Sequence, residues 1–229
     1  IGSAEYIAIA HGPGTFEAYV DSFTYEPIPA NDLGIVSISG VSTKCGSNPD
    51  SVDVTITNFG SAAQSNFQLA YSVNGVAITP ETFTGSIGAG NSATYRFSTT
   101  TTYPTGGSYI INAYTLLGTD VDNSNDTAST TAIILNNTSS FPYAESFETG
   151  NGGWLAEGNT TFELGVPAAT IIDTASDGTQ AWVTNLTGTY NSGENGWVNS
   201  PCFNFSNMVE PEIELDIWYD AENSFDGAV

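Results

Sequence analysis

The chain has 229 residues, 40% of them hydrophobic and 12% aromatic, enough for one large domain or two ordinary ones and too apolar for wholesale disorder. Its 25 acidic residues face only two basic ones, Lys44 and Arg96, for a formal net charge of -23, which repels nucleic acid and anionic membrane surfaces. So few cations exclude ordinary salt bridges as the answer to that charge, leaving screening by salt or neutralisation by bound cations, with calcium binding and adaptation to salty water as the two readings.

Residues 1–29 hold two strand patterns, Tyr6-Ile7-Ala8-Ile9-Ala10 and Glu17-Ala18-Tyr19-Val20-Asp21-Ser22-Phe23-Thr24-Tyr25. Two strands are marginal alone, so they are expected to close a sheet that begins upstream. The opening residues Ile1 to Tyr6 lack the basic and long apolar regions of a signal peptide, and no apolar run approaches the roughly eighteen residues of a membrane span. Pro27 and Pro29 mark a short linker.

Residues 30–137 read as about seven short strands, the size of an immunoglobulin-like sandwich. They start at Gly34-Ile35-Val36-Ser37-Ile38 and close at Ala128-Ser129-Thr130-Thr131-Ala132-Ile133. Val52-Asp53-Val54-Thr55-Ile56-Thr57 alternates apolar and polar with period two, as does Phe67-Gln68-Leu69-Ala70-Tyr71-Ser72-Val73. The latter ends in Asn74-Gly75, a strong hairpin signal. Asn58-Phe59-Gly60 and the stretch from Asp122 to Asp126 are expected turns.

Residues 138–229 carry all four tryptophans, Trp154, Trp182, Trp197 and Trp218, with strands at wider spacing. Glu212 to Tyr219 alternates cleanly and predicts another strand. Both ends of the chain look cut from a longer protein. The expected fold class is all-β, an immunoglobulin-like sandwich flanked by parts of two jelly-roll sandwiches.

Tyr143-Ala144-Glu145-Ser146-Phe147-Glu148, followed by Gly153-Trp154, resembles the opening of a cleaved-adhesin, MAM-like jelly roll of the gingipain-adhesin kind. Ser200-Pro201-Cys202-Phe203 and Phe225 to Val229 are similar to its later strands, and residues 5–25 to the closing strands of another copy, with Ser22 where the family carries a second aspartate. The middle domain resembles the Ig-like spacers between such jelly rolls in secreted Bacteroidota proteins. The resemblance implies an extracellular, cell-surface adhesin exported by type IX secretion, built as a repeat array. It also implies a structural calcium near Glu148 and Glu145, with Asp220, Glu222 and Asp226 as partners and Asp21 in the preceding copy. In a regular strand residues three apart face opposite sides, so Glu148 is favoured over sharing the ion with Glu145 unless a bulge intervenes.

Asp50-Ser51-Val52, Asp126-Thr127-Ala128 and Asp173-Thr174-Ala175 match a Bacteroidota O-glycosylation pattern, making Ser51, Thr127 and Thr174 candidate acceptors. The Asp120, Asp122, Asp126 loop is oxygen-rich but lacks the glycine and distal glutamate of an EF-hand, so a polar Asx-turn loop is expected. Among the tryptophans core packing is the default, with Trp197 the candidate sugar platform because a Gly-rich loop precedes it. Cys45 and Cys202 lie in different predicted domains and are expected as unpaired thiols, with a bridge as the alternative.

One histidine, His11, and no nucleophile, zinc or phosphate motif argue against catalysis. The expected function is a non-catalytic adhesin fragment binding glycans or host surface ligands. The alternatives are an accessory region of a secreted protease or glycan-degrading enzyme, and a subunit that self-assembles into an extracellular array or filament.

Overall fold

The computed structural model describes residues 27–220, and every element in them is a strand, turn or loop. One antiparallel sheet runs in the order β1 (Leu33–Ser39), β3 (Asp53–Asn58), β7 (Ser92–Arg96). The other runs β2 (Lys44–Cys45), β9 (Thr127–Leu135), β8 (Gly107–Leu116), β4 (Gln64–Val73), β5 (Val76–Ala77), with β6 (Glu81–Ile87) also on β4. The two sheets face each other as an immunoglobulin-like sandwich. The period-two pattern explains the pairing: in β3, Val54, Ile56 and Asn58 are buried while Asp53, Thr55 and Thr57 are partly open.

The core is shared by both sheets. Leu33, Ile35, Val54 and Ile56 from the first meet Phe67, Leu69, Tyr71, Ile111, Ala113 and Ile134 from the second. Each such Leu or Ile contributes about 1.5–3 kcal/mol by leaving water. Tyr71 keeps its phenol satisfied by donating to the Thr99 carbonyl at 2.9 Å. Asn58, fully buried, donates to the carbonyls of Ala62 and Ile87 and accepts from the Gly60 amide, which fixes the expected turn there. Asn74 (φ 47°) and Gly75 (φ 80°) make the expected hairpin between β4 and β5.

Both basic residues are spent inside this sandwich. Arg96 forms a fork with Asp53 directly opposite it on the neighbouring strand, both contacts at 2.7 Å. Lys44 pairs with Asp50 and lies 5.1 Å from the centre of the Tyr103 ring.

Among the described residues the downstream region is built from three short strand pairs: β10 (Asn137–Thr138) with β15 (Cys202–Phe203), β11 (Leu155–Asn159) with β14 (Asn195–Asn199), and β12 (Phe162–Gly165) with β13 (Ala181–Thr184). Aromatic contacts supply much of its packing. Phe203 lies 5.0 Å from Tyr143 and 5.8 Å from Phe205, and Phe147 meets Trp154 edge-on at 5.6 Å. Two expected strands take another form. Residues 143–148 lead into a turn in which Phe147 has φ 64°, a left-handed conformation that ends any alternation. Glu212 to Tyr219 pairs with no strand among the described residues, and Ile213, Ile217 and Tyr219 stay 73%, 67% and 69% exposed, since a strand needs a neighbour for its backbone groups. Trp218 accordingly lies outside any strand and is exposed.

Cys45 and Cys202 form a disulfide, with their Cα atoms 5.8 Å apart and 157 residues between them in sequence. The expectation of two unpaired thiols is corrected here. It rested on placing the cysteines in separate domains, but the chain folds the second region back against the edge of the first.

Candidate functional site at the module junction

The junction begins with one continuous run of chain. β2 lies parallel to the end of β9, pairing Lys44 with Ile134 and Cys45 with Leu135. One residue beyond β9, β10 starts and pairs in parallel with β15, placing Asn137 opposite Cys202. Gly46 donates its amide to the Leu135 carbonyl at 2.8 Å, and Cys202 donates to Asn136 at 2.8 Å. The same run of chain therefore carries Cys45 on one stretch and Cys202 on the next, and the disulfide locks the register across the boundary.

A second clamp is built on Glu157, in β11. Its Oε1 accepts the Thr43 hydroxyl from the sandwich at 2.5 Å. Its Oε2 accepts Trp197 Nε1 at 3.0 Å and Asn199 Nδ2 at 2.8 Å, both from β14. One carboxylate thus gathers donors from both regions without any cation. Trp197, directly across from Glu157 in the ladder, is 46% exposed. Between the β11–β14 strand pair and the outer face of β8–β9 lies a cleft of about 390 Å³, lined by Ser108, Thr131, Ile133, Glu157, Gly158 and Trp197.

Glu145 and Glu148 sit in the turn after Tyr143. Glu145 Oε1 accepts the Phe147 amide at 2.7 Å. Glu148 accepts the Thr179 amide at 2.8 Å, the Thr179 hydroxyl at 2.8 Å and the Gln180 amide at 2.7 Å. These donors, the Gln180 amide foremost, hold the Glu148 carboxyl below its ordinary pKa. Asp220 is exposed, and Asp21, Glu222 and Asp226 lie outside the described residues. Among the described residues no group of three or more His, Cys, Asp or Glu side chains is gathered to hold a metal ion.

The same solution recurs. Glu194 accepts the amides of Asn191 and Thr161 and the Thr161 hydroxyl, which outweigh burial and lower its pKa. Glu81 is opposed by burial too, yet the Ser98 and Thr99 amides and the Tyr95 and Ser98 hydroxyls take its carboxyl to about 2. Burial and the bond to Glu81 push the Tyr95 phenol up to about 12. Sequence reasoning sought cations for these carboxylates. The structure answers several of them with backbone N–H groups, a pairing that composition does not reveal.

The Asp120 to Asp126 loop behaves as the expected Asx-turn loop: Asp120 accepts the Leu33 and Asp122 amides, and Asp122 accepts from Ser124. Burial raises the Asp126 carboxyl, with Asp120, Asp32 and Asp122 adding to the effect. Of the candidate glycosylation acceptors, Thr127 opens β9 and is exposed, Thr174 is exposed in a loop, and Ser51 is half-buried before β3. Apart from Trp197, the residues lining the cleft, Glu157 included, carried no sequence signal. Their meeting depends on how two regions dock.

Residues 30–132 match the CARDB family model. A stretch of 85 residues, 37% of the chain, is 35% identical to bacillopeptidase F of Bacillus subtilis (strain 168) and spans 6% of that protein's length. Among solved structures, the CARDB domain of PF1109 from Pyrococcus furiosus, crystallised in complex with di-metal ions, is 20% identical with a TM-score of 0.41, covering 52% of this chain and 100% of that one. A domain (272–376) of a putative cell surface protein from Methanosarcina acetivorans is 24% identical with a TM-score of 0.39, covering 46% of this chain and 92% of that one.

Proposed function

We propose that this chain is a stiff, non-catalytic segment of an extracellular or cell-surface protein, in which an Ig-like spacer is fixed to the module that follows it. The observation that carries this reading is the junction: the Cys45–Cys202 disulfide and the Thr43 hydroxyl on Glu157 join the two regions, and the β10–β15 pairing follows one residue after β9. A disulfide across a boundary persists in an oxidising compartment. CARDB domains are Ig-like modules of secreted and cell-surface proteins, and the matched residues 30–132 are the sandwich. Thiol titration of protein isolated from its native host without reductant tests the placement. No reactive thiol is expected, and two would count against an extracellular bridge.

The finer reading is a glycan-binding surface adhesin with MAM-like jelly rolls, carrying sugars on Ser51, Thr127 and Thr174 and held by calcium. The calcium would engage Glu148 and Glu145 with Asp220, Asp21 or Asp226. The amides of residues 179 and 180 already occupy Glu148 Oε1 and the Thr179 hydroxyl bonds Oε2, so an ion there would take the lone pair left on Oε2. A melting temperature that does not change between calcium and a chelator contradicts the calcium reading. The stretch shared with bacillopeptidase F supports a second reading, a spacer in the accessory part of a secreted peptidase. The length and remaining domains of the native polypeptide decide between the two.

A further inference from the structure

We propose that the cleft between the outer face of β8–β9 and the β11–β14 strand pair is a saccharide site that takes an uncharged pyranose ring stacked on Trp197. This deepens the adhesive reading given above and rests on it. An indole usually buries its large apolar face, but Trp197 is 46% exposed and lines the cleft. Its plane is not free to wander, because Nε1 donates to Glu157 Oε2 at 3.0 Å. A flat apolar face held at a fixed angle suits the C–H face of a sugar ring, which loses little water on stacking.

The polar rim fits the same ligand. Glu157 accepts three hydrogen bonds, from Thr43, Trp197 and Asn199. A carboxylate offers about four lone-pair sites, so one remains for a ligand hydroxyl. Ser108 and Thr131 stand on the opposite wall, exposed, with hydroxyls that bond to no described residue. They face each other diagonally across β8 and β9, where Ser108 pairs with Ile133 and Thr131 with Ile110. Each can donate and accept, as a sugar hydroxyl requires.

Size and charge narrow the class. A cleft of about 390 Å³ lies at the lower end of small-molecule sites, room for one or two rings rather than a long chain. Gly158 (φ 88°) lets β11 run close against β14: a Cβ there would lie 2.5 Å from the Asn195 carbonyl oxygen. A net charge of -23, with both cations engaged in the sandwich and Glu157 in the cleft, selects against sialic or uronic acids.

The test probes an array of oligosaccharides ending in glucose, galactose, mannose or N-acetylglucosamine, together with sialylated and glucuronate-ended counterparts, using the 229-residue chain. The chain is expected to bind at least one uncharged terminus and none of the acidic ones. Trp197→Ala is expected to weaken that binding roughly tenfold or more. Ser108→Tyr, which fills the cleft from the sandwich side and leaves Trp197 and Glu157 in place, is expected to do the same. Wild-type binding retained by either variant overturns this site while leaving glycan adhesion elsewhere on the chain intact. A preference for acidic termini also overturns the site, and a blank array overturns it together with the glycan-binding reading.

Discussion

The sandwich (residues 30–137) carries seven acidic residues and the region after it (138–229) fourteen, and the two are held together differently. Apart from Val183 and the prolines Pro167 and Pro201, every buried apolar residue among those described lies between Leu33 and Leu135. Both cations lie there too. The downstream region has short strand pairs, edge-on aromatic contacts, carboxylates capped by backbone amides, and a covalent tie to its neighbour. A thin core gains little from burial, so its order depends on staples and on what it leans against. The downstream region is therefore expected to be the conditional half of the pair.

The tryptophans make this contrast measurable, since all four lie after residue 153 and the sandwich has none. Indole fluorescence reports one half alone, and the five sandwich tyrosines, of eleven in the chain, give the other half a share of the near-ultraviolet dichroism. The largest effect is expected from Cys45→Ala with Cys202→Ala. With the sandwich folded, the bridge closes a loop of several tens of residues, worth about 4 kcal/mol to the downstream region. In urea the indole transition should move to much lower concentration while the tyrosine transition stays near its place. Coincident shifts of equal size would mean that the halves unfold as one.

Next comes the core. Leu69→Ala should cost about 2–5 kcal/mol in the tyrosine transition, and Val183→Ala about 1–2 kcal/mol in the indole transition. Equal penalties would erase the difference in core depth.

Acid provides a third probe. Glu81 is depressed to about 2, so its stabilisation is fully present above the unfolded carboxyl pKa of roughly 4.3 and is lost as the pH falls toward 2. Discounted for solvent screening, this contributes about 1–2 kcal/mol to the sandwich. Glu81→Gln should flatten that part of the stability profile between about pH 5 and 2, read from the tyrosine transition. The smallest expected effect is Thr43→Val, which removes one donor from Glu157 and should cost the junction about 1 kcal/mol, seen as a small shift in indole unfolding.

What could be read from the sequence divides along the same line. The period-two runs at Val52 to Thr57 and Phe67 to Val73 became β3 and β4 because their apolar positions find an opposite sheet within the same hundred residues. Asn74-Gly75 became its hairpin because the turn is a local matter of left-handed backbone. The run from Glu212 to Tyr219 has alternation of similar quality and no ladder among the described residues, since pairing needs a neighbour that a local pattern cannot supply. Glu145 and Glu148 were expected on a strand, but the left-handed Phe147 between them makes a turn. Trp197 was singled out for its Gly-rich approach and is indeed exposed. Its partner Glu157 looked like any other acidic residue. The Cys45–Cys202 bond was misjudged because sequence distance stood in for spatial distance.

The central claim is that the junction makes one rigid body of two modules. Nitrogen-15 relaxation measured on the oxidised chain tests it most directly. The account predicts that amides of β3, β4 and β8 and those of β11 to β14 report the same overall rotational tumbling time, and that mild reduction separates the two values. Two distinct tumbling times in the oxidised protein would contradict it.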